Sequence, residues 1–183
     1  MTKLVLKQHL SLDGFAGRLD GDVGFIFSSF DDALTYWIVQ DIWKAGIHIM
    51  GARTYGDMAR WWPTSTEPFA APMNAIPKAV FSDTLQEAPW GPAEIIRGDL
   101  GAGIAHLKAR GGKDIYAHGG AGFARSLIAG GLVDEYHLVT HPVALGRGLA
   151  IFSGIGPMRE LELVESKSFP SGAVANIYRP VRR

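Results

Sequence analysis

The sequence contains no cysteine, so disulfides, thiolate nucleophiles and thiolate metal sites are all excluded. Net charge is missing too, because 18 Lys and Arg balance 18 Asp and Glu. Nucleic acids and anionic membrane surfaces are held by a clustered positive field, and neither is an expected partner of such a chain. No block of like charges occurs along it. No apolar stretch approaches the roughly 20 residues that span a bilayer. Met1 to Lys7 alternates apolar and polar residues instead of forming the apolar core of a signal peptide. Internal repeats, linkers and low-complexity segments are absent as well. The expectation is one domain over residues 1–183, acting in the cytoplasm.

The residues present are those of an ordinary globular chain, 47% hydrophobic and 20% charged. Lys3 to Leu10 reads as a strand ended by the turn Ser11-Leu12-Asp13-Gly14. Ser29 and Asp32 have capping-box spacing before a helix with Leu34, Trp37, Ile38 and Ile42 on one stripe. Asp41 shares that stripe, inward or at its edge. Ile47 to Met50 is a short buried strand, and a capping box of Thr54 and Asp57 predicts a helix from Thr54 towards Arg60. The proline-bearing stretch Trp61 to Pro77 reads as a surface loop, where Trp61 and Trp62 either roof a flat ligand or face outward; core packing accounts for Trp37 and Trp43.

Strands follow at Lys78 to Ser82, Ala93 to Arg97 and Asp114 to Ala117, with helices at Leu100 to Arg110 and Ala121 to Ala129. This alternation is the pattern of βαβ units around a mainly parallel sheet. The ending differs: Glu135 to Val143, Leu161 to Ser168 and Ala173 to Tyr178 are strands with no helix between them. Pro170-Ser171-Gly172 turns the last two into an antiparallel hairpin. The fold class is therefore α/β, with a C-terminal antiparallel edge.

Two strand-to-helix turns are candidates for anion binding. His118-Gly119-Gly120-Ala121-Gly122-Phe123 carries a strand into a helix through glycines that allow close backbone approach. Amides at a helix N-terminus and the helix dipole favour an anion there, although glycine also serves simply to turn the chain. Its spacing is neither a dinucleotide fingerprint nor a P-loop. Gly51-Ala52-Arg53-Thr54 puts a glycine, a guanidinium and a hydroxyl at a second helix start, which suits either a phosphate or a plain cap with a solvated arginine.

Five stretches in order resemble the dihydrofolate reductase-like family, and within it the reductase domain of riboflavin biosynthesis. They are Ser11 to Phe15, Met50 to Tyr55, Val80 to Ser82, Gly119 to Ala121, and Gly131 to Glu135 continuing through Pro142, Gly146 and Phe152. The resemblance implies a three-layer dihydrofolate reductase-like fold, a homodimer, and NADPH with its nicotinamide near the Ser11–Phe15 loop. It maps cofactor contacts onto Gly51, Arg53, Thr54 and Ser82, and the pyrophosphate onto Gly119, Gly120, Ala121, Gly122 and Phe123. The implied reaction is reduction of a small heteroaromatic or imine-containing molecule, pteridine- or ribosylaminopyrimidine-like. A nucleotide-binding or ligand-sensing module without turnover is the alternative.

The chain departs from the family at three places. Ala52 stands where an arginine is usual, no Asp-Pro segment follows the arginine turn, and His118 stands where relatives keep an acid. The candidates for the proton-handling side are Asp31, early in the first helix, with Asp13 and His118 behind it. His118 titrates near neutrality and suits either proton donation or a satisfied position at a strand end. His9, His48, His106, His137 and His141 show no metal-ligand spacing and read as structural.

Overall fold

The structure, a computed structural model, describes residues 1–181. Eight strands form one sheet: β1 (Leu4–Ser11), β2 (Ala45–Gly51), β3 (Lys78–Phe81), β4 (Ala93–Ile96), β5 (Asp114–His118), β6 (Glu135–His141), β7 (Leu161–Ser168) and β8 (Val174–Pro180). Their order is β4-β3-β2-β5-β1-β6-β8-β7. The first six in that order are parallel, while β8 runs antiparallel to both β6 and β7. The α/β class and the antiparallel C-terminal hairpin are as the sequence leads one to expect. The hairpin turn closes through Gly172, at φ 84°, whose N–H donates to the Phe169 carbonyl.

Alternation along β1 assigns the two faces of the sheet. Leu4, Leu6 and Leu10 face a core shared with α4 (Leu100–Ala109) and α5 (Ala121–Ala129). Val5 faces the opposite core, built with α1 (Asp32–Ile42), α2 (Ala52–Trp61) and α3 (Ala70–Ala75) through Leu34, Ile38, Tyr55 and Met73. Helices thus cover both faces, giving three layers.

Four local expectations are corrected. Ser29 does not cap α1: Asp31 does, its Oδ1 accepting from Leu34 N at 2.7 Å, while Ser29 lies in a 3-10 turn with its hydroxyl against buried His141. α2 begins at Ala52 with Gly51 at its N-cap and no side-chain cap, so Thr54 sits inside the first turn. The stretch from Trp61 to Pro77 contains a 3-10 turn at Trp62–Thr64 and the helix α3, because Phe69, Met73 and Ile76 find apolar partners under it. Trp43 is 41% exposed, outside the core.

Asp41 settles on the inward side. It is buried beneath α1, where register stacks seven polar residues on one sheet face: Lys7, His9, His48, His118, Glu135, His137 and His141. Lys7 Nζ donates to Asp41 Oδ2 at 2.7 Å, and His137 bridges Asp41 at 3.0 Å and Glu135 at 2.8 Å. Glu135 is tied outward to Lys3 and Arg179. Every charge in this ladder has a partner, which is the condition for burying it.

Candidate functional site

A cavity of about 1070 Å³ opens at the carboxyl ends of β1, β2 and β5. Its position follows from the topology, since in open α/β sheets the strand ends form the crevice. Both glycine turns border it. Gly51, Ala52, Arg53 and Thr54 line it from β2–α2, and Gly119 to Phe123 line it from β5–α5.

The turns meet each other. A Cβ placed on Gly119 would lie 2.3 Å from Thr54 Cγ2, and one on Gly120 would lie 2.9 Å from Thr54 Oγ1. Both glycines adopt positive φ, 68° and 49°, so glycine is required here by space and by backbone. Gln8 Nε2 donates to the Gly119 carbonyl at 3.1 Å and fixes the turn from β1. Neither α2 nor α5 has a side-chain cap, so the first-turn amides of both are available to a ligand. Arg53 is exposed and Arg125 half-buried in the same lining; among the described residues neither guanidinium has a hydrogen bond or ion pair. Two uncapped helix starts and two unpaired guanidiniums suit a polyanion such as a dinucleotide pyrophosphate.

On the α1 face the walls turn aromatic. Phe30, Trp61, Trp62 and Phe69 line the cavity with Met58 and Met73. Phe69 meets Phe30 edge-on at 5.8 Å and Trp62 at 6.3 Å. The two tryptophans therefore do border the ligand space, Trp61 with more than half its surface outward.

The floor is imidazole and ammonium. His118 Nε2 is 2.9 Å from His48 Nδ1, and His9 Nδ1 is 2.8 Å from His141 Nε2. Burial holds all four rings below the ordinary histidine pKa, His48 at about 3 and His141 at about 4, and within each pair the neighbouring ring lowers His9 and His118 further. They are neutral at physiological pH. Lys7 is also lowered by burial, with Asp41 opposing the shift.

The three acid-base candidates separate. His118 lines the cavity. Asp31 does not: its second oxygen accepts from Ser171 N at 2.8 Å, so the carboxylate joins α1 to the C-terminal hairpin. Asp13 does not either, because it accepts from Ser11 Oγ at 2.6 Å and from the amides of Leu145 and Gly146. Those bonds pull its pKa down to about 2, the Ser11 hydroxyl contributing most. Ser82 also stays outside the cavity lining, its hydroxyl accepting from Thr84 N and Leu85 N. Among the described residues no group of three or more His, Asp or Glu is placed to hold a metal ion.

Sequence reasoning missed Lys7 and His9, which line the cavity. A signal was present: both fall in phase with Val5 on a strand opened by the apolar run Leu4 to Leu6, where a lysine and a histidine are unusual.

A sequence model of the family described as RibD C-terminal domain matches residues 2–175. The uncharacterized protein YyaP of Bacillus subtilis (strain 168) is 28% identical over 181 residues, covering 96% of this chain and 94% of that protein. A putative riboflavin biosynthesis protein from Shewanella sp. PV-4 superposes with a TM-score of 0.80 at 20% identity, covering 99% of this chain and 100% of that one. Dihydrofolate reductase from Enterococcus faecalis, complexed with NADP(H) and RAB-propyl, has the same fold, with a TM-score of 0.65 at 12% identity over 97% and 96% of the two chains.

Proposed function

We propose, from the premise that this chain belongs to the RibD C-terminal domain family, that it is an NADPH-dependent reductase of a small heteroaromatic or imine-containing molecule. One observation carries the reading: a single cavity joins two uncapped helix starts and two unpaired arginines to an aromatic chamber floored by imidazoles. The Enterococcus faecalis enzyme of the same fold binds NADP(H), which supports the choice of cofactor.

Amides of Gly120 to Phe123 would hold the pyrophosphate, with Gly119 packed on Thr54 to keep the turn open. Gly51 and Thr54 flank it, and Arg53 is the side chain nearest to hand for a ribose phosphate beside Ala52. A reduced nicotinamide supplies hydride, and an imine or conjugated acceptor takes up one proton as well. Aromatic walls orient a flat molecule and exclude water from its reacting face. Proton handling falls to the imidazole floor, of which His118 is the member named from sequence. Asp13 and Asp31 hold the loop and the hairpin that shape the site.

Titration of the protein with NADPH and NADH, followed by oxidation assays on pteridine, pyrimidine and uncharged bicyclic carbonyl and imine acceptors, tests this. Micromolar NADPH binding with turnover of a member of the panel is expected. Failure of both nucleotides to bind overturns the reading, whereas tight binding without any accepted hydride acceptor favours a ligand-sensing module. A homodimer in the cytoplasm belongs to the same proposal and is checked by light scattering and by fractionation. No helix among the described residues is long and apolar enough to cross a membrane.

A further inference from the structure

Away from the Arg53 and Arg125 turns and the exposed rim, the aromatic chamber holds no unpaired charge among the described residues. Its acidic lining residues, Asp20, Asp57 and Glu67, are all exposed at the rim. The buried cation, Lys7, is already matched by Asp41 at 2.7 Å and lies 5.2 Å from the Trp37 ring centroid. A ligand anion would have to compete with that carboxylate, and a ligand cation would find no free carboxylate inside.

His9 is the group left free to act. Its Nδ1 is engaged by His141, and among the described residues its Nε2 has no partner although the ring lines the cavity. Behind it runs a sealed chain, because His141 Nδ1 is 2.6 Å from Ser29 Oγ, which also reaches the Ile26 carbonyl at 3.2 Å. Ser29 and His141 are both buried. A serine has one proton to give. If it goes to Ile26, each imidazole donates from Nδ1 and His9 presents a bare Nε2. If it goes to His141, the chain reverses and His9 presents Nε2–H. The two arrangements hold the same number of protons, so His9 is a donor or an acceptor without becoming charged. His118 is paired differently: its Nε2 is 2.9 Å from His48 Nδ1, and among the described residues no hydroxyl stands behind His48 to reverse that pair.

We infer that the substrate is an uncharged, flat, conjugated molecule whose reacting carbonyl or imine heteroatom hydrogen-bonds to His9 Nε2, with Ser29 and His141 setting the polarity of that nitrogen. This rests on reading the cavity as a reductase site and names its substrate class. Reduction turns an acceptor heteroatom into a donor, and a reversible imidazole chain matches both forms. An aminopyrimidine edge calls for a carboxylate and a sugar phosphate for free cations. Away from the rim carboxylates and the Arg53 and Arg125 turns, the chamber offers neither.

Calorimetry on the full chain, with and without saturating NADP⁺, tests the proposal with three probes. They are isoquinolinone, a flat neutral bicycle with one carbonyl, 2,4-diaminopyrimidine, and ribose 5-phosphate. Isoquinolinone is expected to bind at least about tenfold tighter than the other two. His9→Leu should weaken it about three- to tenfold, the worth of one neutral hydrogen bond, while His9→Gln, which can donate or accept, stays within about threefold of wild type. Tighter binding of either other probe overturns the proposal, as does unchanged affinity in a folded His9→Leu. If the leucine variant does not fold, the probe ranking and His9→Gln decide. NADP⁺ titrated alone reports separately on the cofactor reading; ribose 5-phosphate is ranked only with NADP⁺ saturating, when the Arg53 and Arg125 turns are filled, and without nucleotide the ranking of isoquinolinone against 2,4-diaminopyrimidine stands or falls by itself.

Discussion

Gly119 packs against Thr54 so closely that a Cβ on the glycine would lie 2.3 Å from the threonine Cγ2. This contact locks the β2 and β5 turns together and sets the opening between the two helix starts. Gly119→Ala adds the clash to a φ of 68° that alanine tolerates poorly. A loss of about 2–4 kcal/mol in stability is expected, together with weakened NADPH binding. Adding Thr54→Gly should recover the steric part and leave about 1 kcal/mol of backbone strain. Urea denaturation of the single and double variants measures both parts, and additive losses would argue against the contact.

Arg53 and Arg125 line the cavity without partners of their own, so their removal should spare the fold and strike the ligand. Either substitution to Ala is expected to weaken NADPH about tenfold or more, the worth of a charge-assisted contact, with Tm unchanged within about 2 °C. Loss at Arg53 should also narrow any preference for NADPH over NADH, if that guanidinium meets the ribose phosphate. Parallel titrations with the two nucleotides read this out. Equal losses for both would shift the role of Arg53 to the pyrophosphate.

The mainly parallel sheet, the glycine turns and the C-terminal hairpin were legible because each rests on local pattern: apolar runs, turn residues and strand-helix alternation. The polar floor was not. Asp41 and His137 are 96 positions apart, and His9 and His141 are 132 apart, so only the sheet register brings them together. Asp13 and Asp31 show the reverse case, both lying outside the cavity lining. Each has the chemistry of an acid catalyst, but loop amides and the hairpin amide, invisible in sequence, have claimed their oxygens. Reading β1 for polar residues in phase with Val5 would have recovered Lys7 and His9.

Asp41 is the anion on which two buried cationic groups depend. Lys7 donates to it directly, and hydrogen bonds to Asp41 and Glu135 raise the His137 pKa against the opposing effect of burial. Asp41→Asn removes the charge at nearly constant volume and strands Lys7. A destabilisation of about 3–5 kcal/mol is expected, as for a broken buried pair. Lys7→Met combined with Asp41→Leu should lose less than the sum of its single variants, since neither charge is then left alone. Denaturant midpoints across this cycle measure the coupling, and a strictly additive result would mean that the two residues are not paired in solution.

The neutral histidines make a sharper demand on pH. Burial holds His48 at about 3 and His141 at about 4, with His9 and His118 also well below their unfolded value. Unfolded, each takes up a proton as pH falls through about 6.5. Below that point the unfolded chain binds more protons than the folded one, so folding stability must fall as pH falls. Each histidine contributes up to about 1.4 kcal/mol per pH unit, until its folded form also charges. His137 has the opposite sign: its raised pKa gives stability that is present below about 6.5 and lost as pH rises through the folded value. Stability should therefore peak near neutrality and drop by several kcal/mol, on the order of 3–5, between pH 6.5 and 5. Urea midpoints at pH 7.5, 6.5, 5.5 and 5.0 test it, and His9→Gln should shallow the acid slope by about one proton. A flat profile over this range would mean that the imidazole floor is not held neutral, and a proton-neutral reversal of polarity at His9 would be ruled out with it.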